Sequence, residues 1–402
     1  MTLDVAALRS AYPSLSSGIA HFDGPGGTQT PRVVGEAILA AMTGPTSIRG
    51  TSTASERNSE ATVQAFRAAY ADFLGVPPEG VVHGRSATQL TYDFARHLSA
   101  SWGPGDEVVV SRLDHDANIR PWVQAAEAVG ATVRWIELDP ATGELDLESV
   151  AAAITGRTRL VAVTAASNLL GTQPPVAAIA DRAHAVGALV WVDAVHFAAH
   201  ELVDRVALGA DFVVCSPYKF AGPHCGVLGA DPELLESIRP AKLLPSTDVV
   251  PERFEFGTLP YEQLAGATAA VDFLAAIAPS DATGRREALV ASFAAVHEHE
   301  TALRVALEER LARVPGLTVR SRAARRTPTL YVTVKGRSMR ELAAHLATRD
   351  VLAPAGHFYA IEAWQAMGLD DATTGLRIGL APYTDEADVD RLVAGIEEFV
   401  AG

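Results

Sequence analysis

The chain is short of several features that would each commit it to a function. It has only two cysteines in 402 residues, Cys215 and Cys225, too few for a disulfide framework, and no CxxC pair offers zinc ligands. No metal site is expected. It also lacks positive charge: 33 Lys and Arg against 48 Asp and Glu leave a formal charge of −15. That balance argues against nucleic acid and anionic membrane surfaces, which both call for clustered Lys and Arg. Apolar runs such as LVAVTAA at 160–166 fall far short of the roughly 20 residues that span a bilayer. The opening MTLDVAALRSAYPSL has no basic stretch leading into an apolar one, so no secretory signal is read. Internal repeats and low-complexity segments are absent too. These exclusions point to a soluble cytoplasmic protein with no nucleic-acid or membrane partner. A composition of 48% hydrophobic and 20% charged residues suits a globular fold.

What is present is an α/β rhythm. A chain of this length suits two domains rather than one core. Between residues 80 and 230, β-rich runs alternate with helical stretches: VVHG (81–84), EVVVS (107–111), TVRWIEL (132–138), LVAVT (160–164), ALVWVDA (188–194), DFVVCS (211–216) and GVLGA (226–230). Several are apolar at consecutive positions, the pattern of strands covered on both faces. Intervening segments such as PPVAAIADRAHAVG carry helical spacing and end in Gly. The reading is a mainly parallel sheet of about seven strands between helices, with the direction of one strand left open. After residue 260 the pattern changes to a helix over roughly 283–313, the β run TPTLYVTVKG, a helix from near Ser338, and a last β–helix unit, GLRIGLAPYTDEADVDRLVAGIEEFV. This predicts a smaller α+β C-terminal domain over 266–402, a large domain over 31–265, and an N-terminal segment, 1–30, packing on the small domain.

Two residues stand where chemistry is expected in such a sheet. Lys219 follows DFVVCS in CSPYKFAGPHCGVLG, and Asp193 ends the strand in WVDAVH. Both emerge at the carboxyl edge, where loops meet helix N-termini. Alone, each has a plain explanation: a helix cap for the aspartate, a solvated loop position for the lysine. Together they meet two demands of pyridoxal 5′-phosphate (PLP), a lysine to carry the cofactor and a carboxylate to keep its pyridine nitrogen protonated. HGRSATQL (83–90) enters a helix from a strand end, so amides around Ala87 and Thr88 can cradle a phosphate.

The segment VDAVHFAAHELVDRVALGADFVVCSPYKFAGPHCGVLG resembles the active-site region of class V aminotransferases, the fold-type I PLP group that contains cysteine desulfurases, and most resembles the cysteine desulfurase-like subgroup. The likeness runs from FDGPGGTQTP at 22–31 to LRIGLAPYTDEADVDRL at 376–392. It implies PLP held by Lys219 as a Schiff base, with Asp193 on the pyridine nitrogen. Thr88 matches the phosphate-binding threonine, and Ser216 and Tyr218 match further phosphate contacts, although a histidine is usual where Tyr218 stands. RLDHDANIRPW (112–122) gives His115 the stacking role over the ring, with proton exchange open to it. Asn168 in SNLLG and His196 match contacts to the phenolic oxygen. RFEFGT (253–258) resembles a motif that crosses a dimer interface, so Gly257 and Thr258 are expected at a partner's phosphate, in a homodimer with shared active sites. Arg377 matches the arginine that holds the substrate α-carboxylate, a role suited to a planar fork. Arg49 in SIRGTST resembles a substrate-side loop.

The departures bear on the reaction. Where cysteine desulfurases carry a loop cysteine in a pattern like Arg-x-Gly-His-His-Cys, this chain has Pro354-Ala355-Gly356-His357-Phe358-Tyr359. Tyr359 stands in the cysteine's place, and a phenol is a poor sulfur acceptor beside a thiolate. His357 and Tyr359 are read as reshaping the substrate pocket. The expected reaction is β-elimination at a Cβ–S or Cβ–Se bond of an α-amino acid; transamination and epimerisation are the alternatives. A non-catalytic PLP-binding protein is disfavoured by Arg377, and a nicotinamide dehydrogenase by the lack of GxGxxG after the first strand.

Overall fold

The computed structural model describes residues 3–402. Its strands, in chain order, are β1 (Ala20–His21), β2 (Val81–Gly84), β3 (Glu107–Ser111), β4 (Thr132–Ile136), β5 (Leu138–Asp139), β6 (Glu144–Leu145), β7 (Thr158–Thr164), β8 (Leu189–Asp193), β9 (Phe212–Cys215), β10 (Gly226–Ala230), β11 (Leu317–Val319), β12 (Thr329–Val334), β13 (Val351–Leu352) and β14 (Leu376–Gly379). Seven of them form one sheet in the order β2-β10-β9-β8-β7-β3-β4. All are parallel except β10, which runs antiparallel to both neighbours. The run 132–138 is not one strand: β4 stays in the sheet, while Leu138 and Asp139 turn away to pair with β6 in a hairpin.

Consecutive apolar residues bury both faces of this sheet. Val109, Val161, Val163, Val190, Val192 and Val213 point into one core. Val108, Val110, Leu160, Ala162, Trp191 and Phe212 point into the other. Alternation along each strand thus serves two helix layers, which is why no polar face appears in the sequence.

A third core lies around the antiparallel sheet β11-β12-β14, with Leu330, Val332, Ile378, Leu392 and Ile396 at its centre. The N-terminal segment joins it: β1 pairs in parallel with β13, and Phe22 is fully buried there. The helix Tyr261–Ala275 packs instead on the helices Arg32–Thr43 and Ala54–Leu74. The long helix Arg285–Leu311 belongs to both bodies, placing Leu289 and Phe293 in the sheet's core and Leu303, Leu307 and Leu311 in the third. The passage between cores therefore falls inside this helix, later than the expected residue 265. Among the described residues, no helix is long and apolar enough to cross a membrane.

Candidate active site

Because β2, β3, β7, β8 and β9 are parallel, the loops that follow them all open at one edge. That edge and the third core enclose a cavity of about 800 Å³, lined by residues that include Lys219, Asp193, His115, Asn168, His196 and Arg377. Ala87, Thr88, Ser216, Tyr218 and Tyr359 line it as well. Residues expected from separate motifs over nearly 300 positions are thereby brought to one hollow.

Asp193 closes β8. Its Oδ1 accepts the Val195 N–H at 2.8 Å, and burial raises its pKa to about 6 despite that bond and the nearby Lys219. Lys219 sits in the short turn after β9, where its Nζ donates to the Pro25 carbonyl and lies 4.8 Å from the centre of the Tyr218 ring. Burial, aided by Arg377 and opposed by Asp193, lowers the ammonium to about 7. A lysine there is unprotonated in good part at neutral pH, which equips it for imine formation and proton transfer.

The helix Ala87–Ser99 starts beneath the cavity with Ser86 as its cap, the hydroxyl accepting from the Gln89 N–H. Gly226 on β10 runs directly against this turn: a Cβ there would lie 2.3 Å from the Ser86 carbonyl carbon and 2.6 Å from the Ala87 nitrogen. Only glycine lets the strand approach so closely, leaving the helix's first amides free toward the cavity.

His115 is presented by the turn after β3. Its Nδ1 accepts the Ala117 N–H at 3.0 Å, so Nε2 carries the hydrogen. Burial first, then Lys219 and Arg377, lowers it to about 4, keeping the ring neutral. The Tyr359 ring stacks on it at 5.5 Å and 25°. Behind it the buried Asp114 takes bonds from Asn118 (2.6 Å) and the Ser111 hydroxyl, and burial pushes it up to about 8. Asp114 thus stiffens the turn, a role unmarked in the sequence.

Arg377, on β14, is buried and forms no ion pair among the described residues. Its Nη1 donates to the Asn168 carbonyl at 3.0 Å, Nε has no partner, and the guanidinium carbon lies 3.6 Å from the centre of the Phe358 ring. Burial lowers it to about 9. Asn168 donates to the Phe358 carbonyl at 2.9 Å. Phe358 and Tyr359 both adopt left-handed backbone, with φ of 50° and 61°. Such aromatic positions are strained by roughly 1–3 kcal/mol each and are kept where surrounding bonds impose them. Here Asn168 and the Asp116 N–H, bonded to the Tyr359 carbonyl at 2.8 Å, hold the loop.

Two residues expected on the substrate side do not reach the cavity. The His357 ring packs toward Trp364 at 5.5 Å, and its Nδ1 accepts the Tyr359 N–H, so it shapes the loop and not the pocket. Arg49 is captured by Glu60 at 2.8 Å and Glu252 at 3.0 Å, which neutralises its charge outside the cavity. Gly257 and Thr258, expected at a partner's phosphate and not at this one, lie outside the cavity, Thr258 bordering a separate one with His83 and Arg85. Sequence reasoning missed Phe358 and the Pro25 carbonyl. The glycine-rich FDGPGG was a signal for the second; nothing marked the first.

The donor set fits PLP. The helix amides suit its phosphate, Asp193 its ring nitrogen, and His115 a ring face. His196 lines the cavity, and its buried Nδ1 has no partner among the described residues. Comparison with known proteins agrees. A model of the aminotransferase class-V family matches residues 20–392. An uncharacterized protein of Mycobacterium tuberculosis is 33% identical over 98% of this chain and 99% of its own. A probable cysteine desulfurase 2 of Mycobacterium leprae is 31% identical over 98% and 96%. The crystal structure of the cysteine desulfurase CsdA from Escherichia coli, 26% identical, superposes with a TM-score of 0.87 over 99% of this chain and 98% of that one. The chain belongs to the class V aminotransferase family of PLP-dependent enzymes and is cysteine desulfurase-like within it.

Proposed function

We propose that this enzyme cleaves the Cβ–S, or Cβ–Se, bond of a cysteine-derived α-amino acid by β-elimination. The observation that carries the amino-acid part is Arg377: a buried guanidinium without a carboxylate partner, its Nε open, in the same cavity as Lys219. An unpaired buried cation is costly, and a substrate carboxylate is the ligand that relieves it. Lys219 would carry the cofactor and take the proton from Cα. Asp193 and the amides at Ala87 and Thr88 would hold the ring nitrogen and phosphate, with Ser216 and Tyr218 beside them. When bound, PLP supplies an electron sink for the negative charge at Cα. His115, which lines the cavity with its hydrogen on Nε2, would donate to the departing sulfur.

Elimination rather than persulfide transfer is favoured by the thiols. Cys215 lies within β9 and Cys225 just before β10; both are buried, and burial pushes the first well up and the second to about 12. Neither is a ready nucleophile. A visible absorbance band that is lost in Lys219→Ala, with pyruvate and sulfide released from L-cysteine or S-substituted cysteines, is the expected result. A keto acid or racemised amino acid without sulfide would replace this reading with transamination or epimerisation. A homodimer with shared sites is part of the proposal. The placement of Thr258 away from its own Lys219, and the exposure of Leu243, Leu244 and Phe256, support it. Restored activity on mixing inactive Lys219→Ala and Thr258→Ala proteins would test the sharing.

A further inference from the structure

His196 lines the cavity and is 3% exposed, with its Nδ1 unpartnered. Its Nε2 lies between two hydroxyls that come from across the molecule: Thr327 Oγ1 at 2.9 Å and Thr329 Oγ1 at 3.1 Å. Thr327 and Thr329 are 2% and 0% exposed, so none of these groups turns to solvent instead.

Counting hydrogens decides the tautomer. Thr327 has a second acceptor, the Gly171 carbonyl at 3.4 Å. Among the described residues Thr329 has none: the His196 Nε2 is the one acceptor bonded to its hydroxyl. If Nε2 carried the hydrogen, the Thr329 hydroxyl would be a buried donor without a partner, which is costly. If Nε2 is bare, it accepts from Thr329, and Thr327 donates to Gly171 or joins it. The hydrogen then sits on Nδ1, the ring nitrogen that has no partner among the described residues, on a side chain that lines the cavity.

We infer that the Thr329 hydroxyl, assisted by Thr327, locks neutral His196 with its hydrogen on Nδ1, presenting a donor to an anionic oxygen of the ligand. The inference rests on the PLP reading for the identity of that oxygen, the cofactor's phenolic one. It makes Thr329 and Thr327 positioning residues, and it gives the third core a part in the cofactor site, beside the part that Arg377 has at the substrate. A neutral donor suits this place, because burial first, then His200, Arg377 and Lys219, disfavour a charged ring. His200, whose ring lies 5.0 Å from that of His196, is in turn held by Glu300 at 2.9 Å, both buried.

The test uses the full-length protein labelled with ¹⁵N-histidine, with and without PLP, the His196 signals being assigned by their loss in His196→Gln. Wild type should show a pyrrole-type Nδ1 and a pyridine-type Nε2. Thr329→Val, which swaps the hydroxyl for a methyl, should shift the ring toward Nε2–H and weaken PLP binding by about three- to tenfold. Thr329→Ser should keep both the tautomer and the affinity, which a merely structural role for the side chain would not predict. Nε2–H in wild type, or an unchanged tautomer in Thr329→Val, would overturn the lock, and the wild-type spectrum decides even if the valine variant does not fold. Absence of a visible band on adding PLP to wild type would instead sink the cofactor reading, and with it the assignment of the donor to PLP, while the tautomer still judges the threonine pair.

Discussion

The floor of the cavity and its outer wall are made by different means. On the floor, Asp193, Ser216 and the Ser86–Ala87 turn take their places from parallel strands buried on both faces, with ordinary backbone. On the wall, Phe358 and Tyr359 hold left-handed angles imposed by bonds from Asn168 and Asp116. The floor matches the family pattern closely, whereas the wall is where the sequence departs from it, at the position of the loop cysteine. The contrast suggests that cofactor placement is the property of the sheet and substrate choice the property of a strained loop held against it. A strained loop can be re-aimed by few substitutions, while a buried strand end cannot.

Attacking the floor should have the largest effect. Lys219→Ala is expected to abolish the visible band and lower turnover by at least about 10³-fold, read by absorbance and product release. If turnover survived at a tenth of wild type, the lysine's assignment would be wrong. Arg377→Ala should lower kcat/KM by roughly 10²–10³-fold, with Arg377→Lys recovering little, because a point charge cannot reproduce the fork. Equal losses for substrates lacking a carboxylate would break the clamp assignment.

A stability experiment on the cofactor-free chain comes next. Burial lowers Lys219 to about 7 in the folded chain, against ~10.4 when unfolded. Between these values the unfolded chain binds more protons, so stability rises with pH; the penalty is full below pH 7 and fades toward pH 10. Lys219→Met is therefore expected to stabilise the cofactor-free chain at pH 6 by about 2–4 kcal/mol, and by much less at pH 10. Denaturant melts at the two pH values would show it, and a gain independent of pH would contradict the charge argument.

The smallest effects should be at the wall. Tyr359→Ala opens the mouth and should change KM for bulky S-substituted cysteines by several-fold, about 1 kcal/mol, with little change for L-cysteine. His357→Ala, whose ring faces Trp364, should change either by less than about twofold. Steady-state kinetics on both substrates would decide whether the two loop residues really differ.

Much of the floor was legible in the sequence. The seven strands follow from apolar runs bounded by turns, and Asp193 and Lys219 are readable because each sits one step beyond such a run. His115, Asn168 and Arg377 were legible through the ordered motifs around them. Arg49 shows the limit. Its loop looked substrate-facing, yet Glu60 and Glu252, the second 203 residues away, take its charge. His357 shows it again: the loop was found, but which ring faces the cavity depends on two backbone angles with no local signature.

By itself the sequence determined the sheet, its two-faced burial, and the emergence of a lysine and an aspartate at one edge, since these depend on patterns a few residues long. Only the tertiary structure decided that the Pro25 carbonyl meets Lys219 across 194 residues, that Phe358 covers Arg377, and that His196 lies between Thr327 and Thr329. Those contacts join the N-terminal segment and the third core to the sheet edge. They are set by how separate hydrophobic bodies pack, and neighbouring residues in the chain carry no record of which distant group will lie against them.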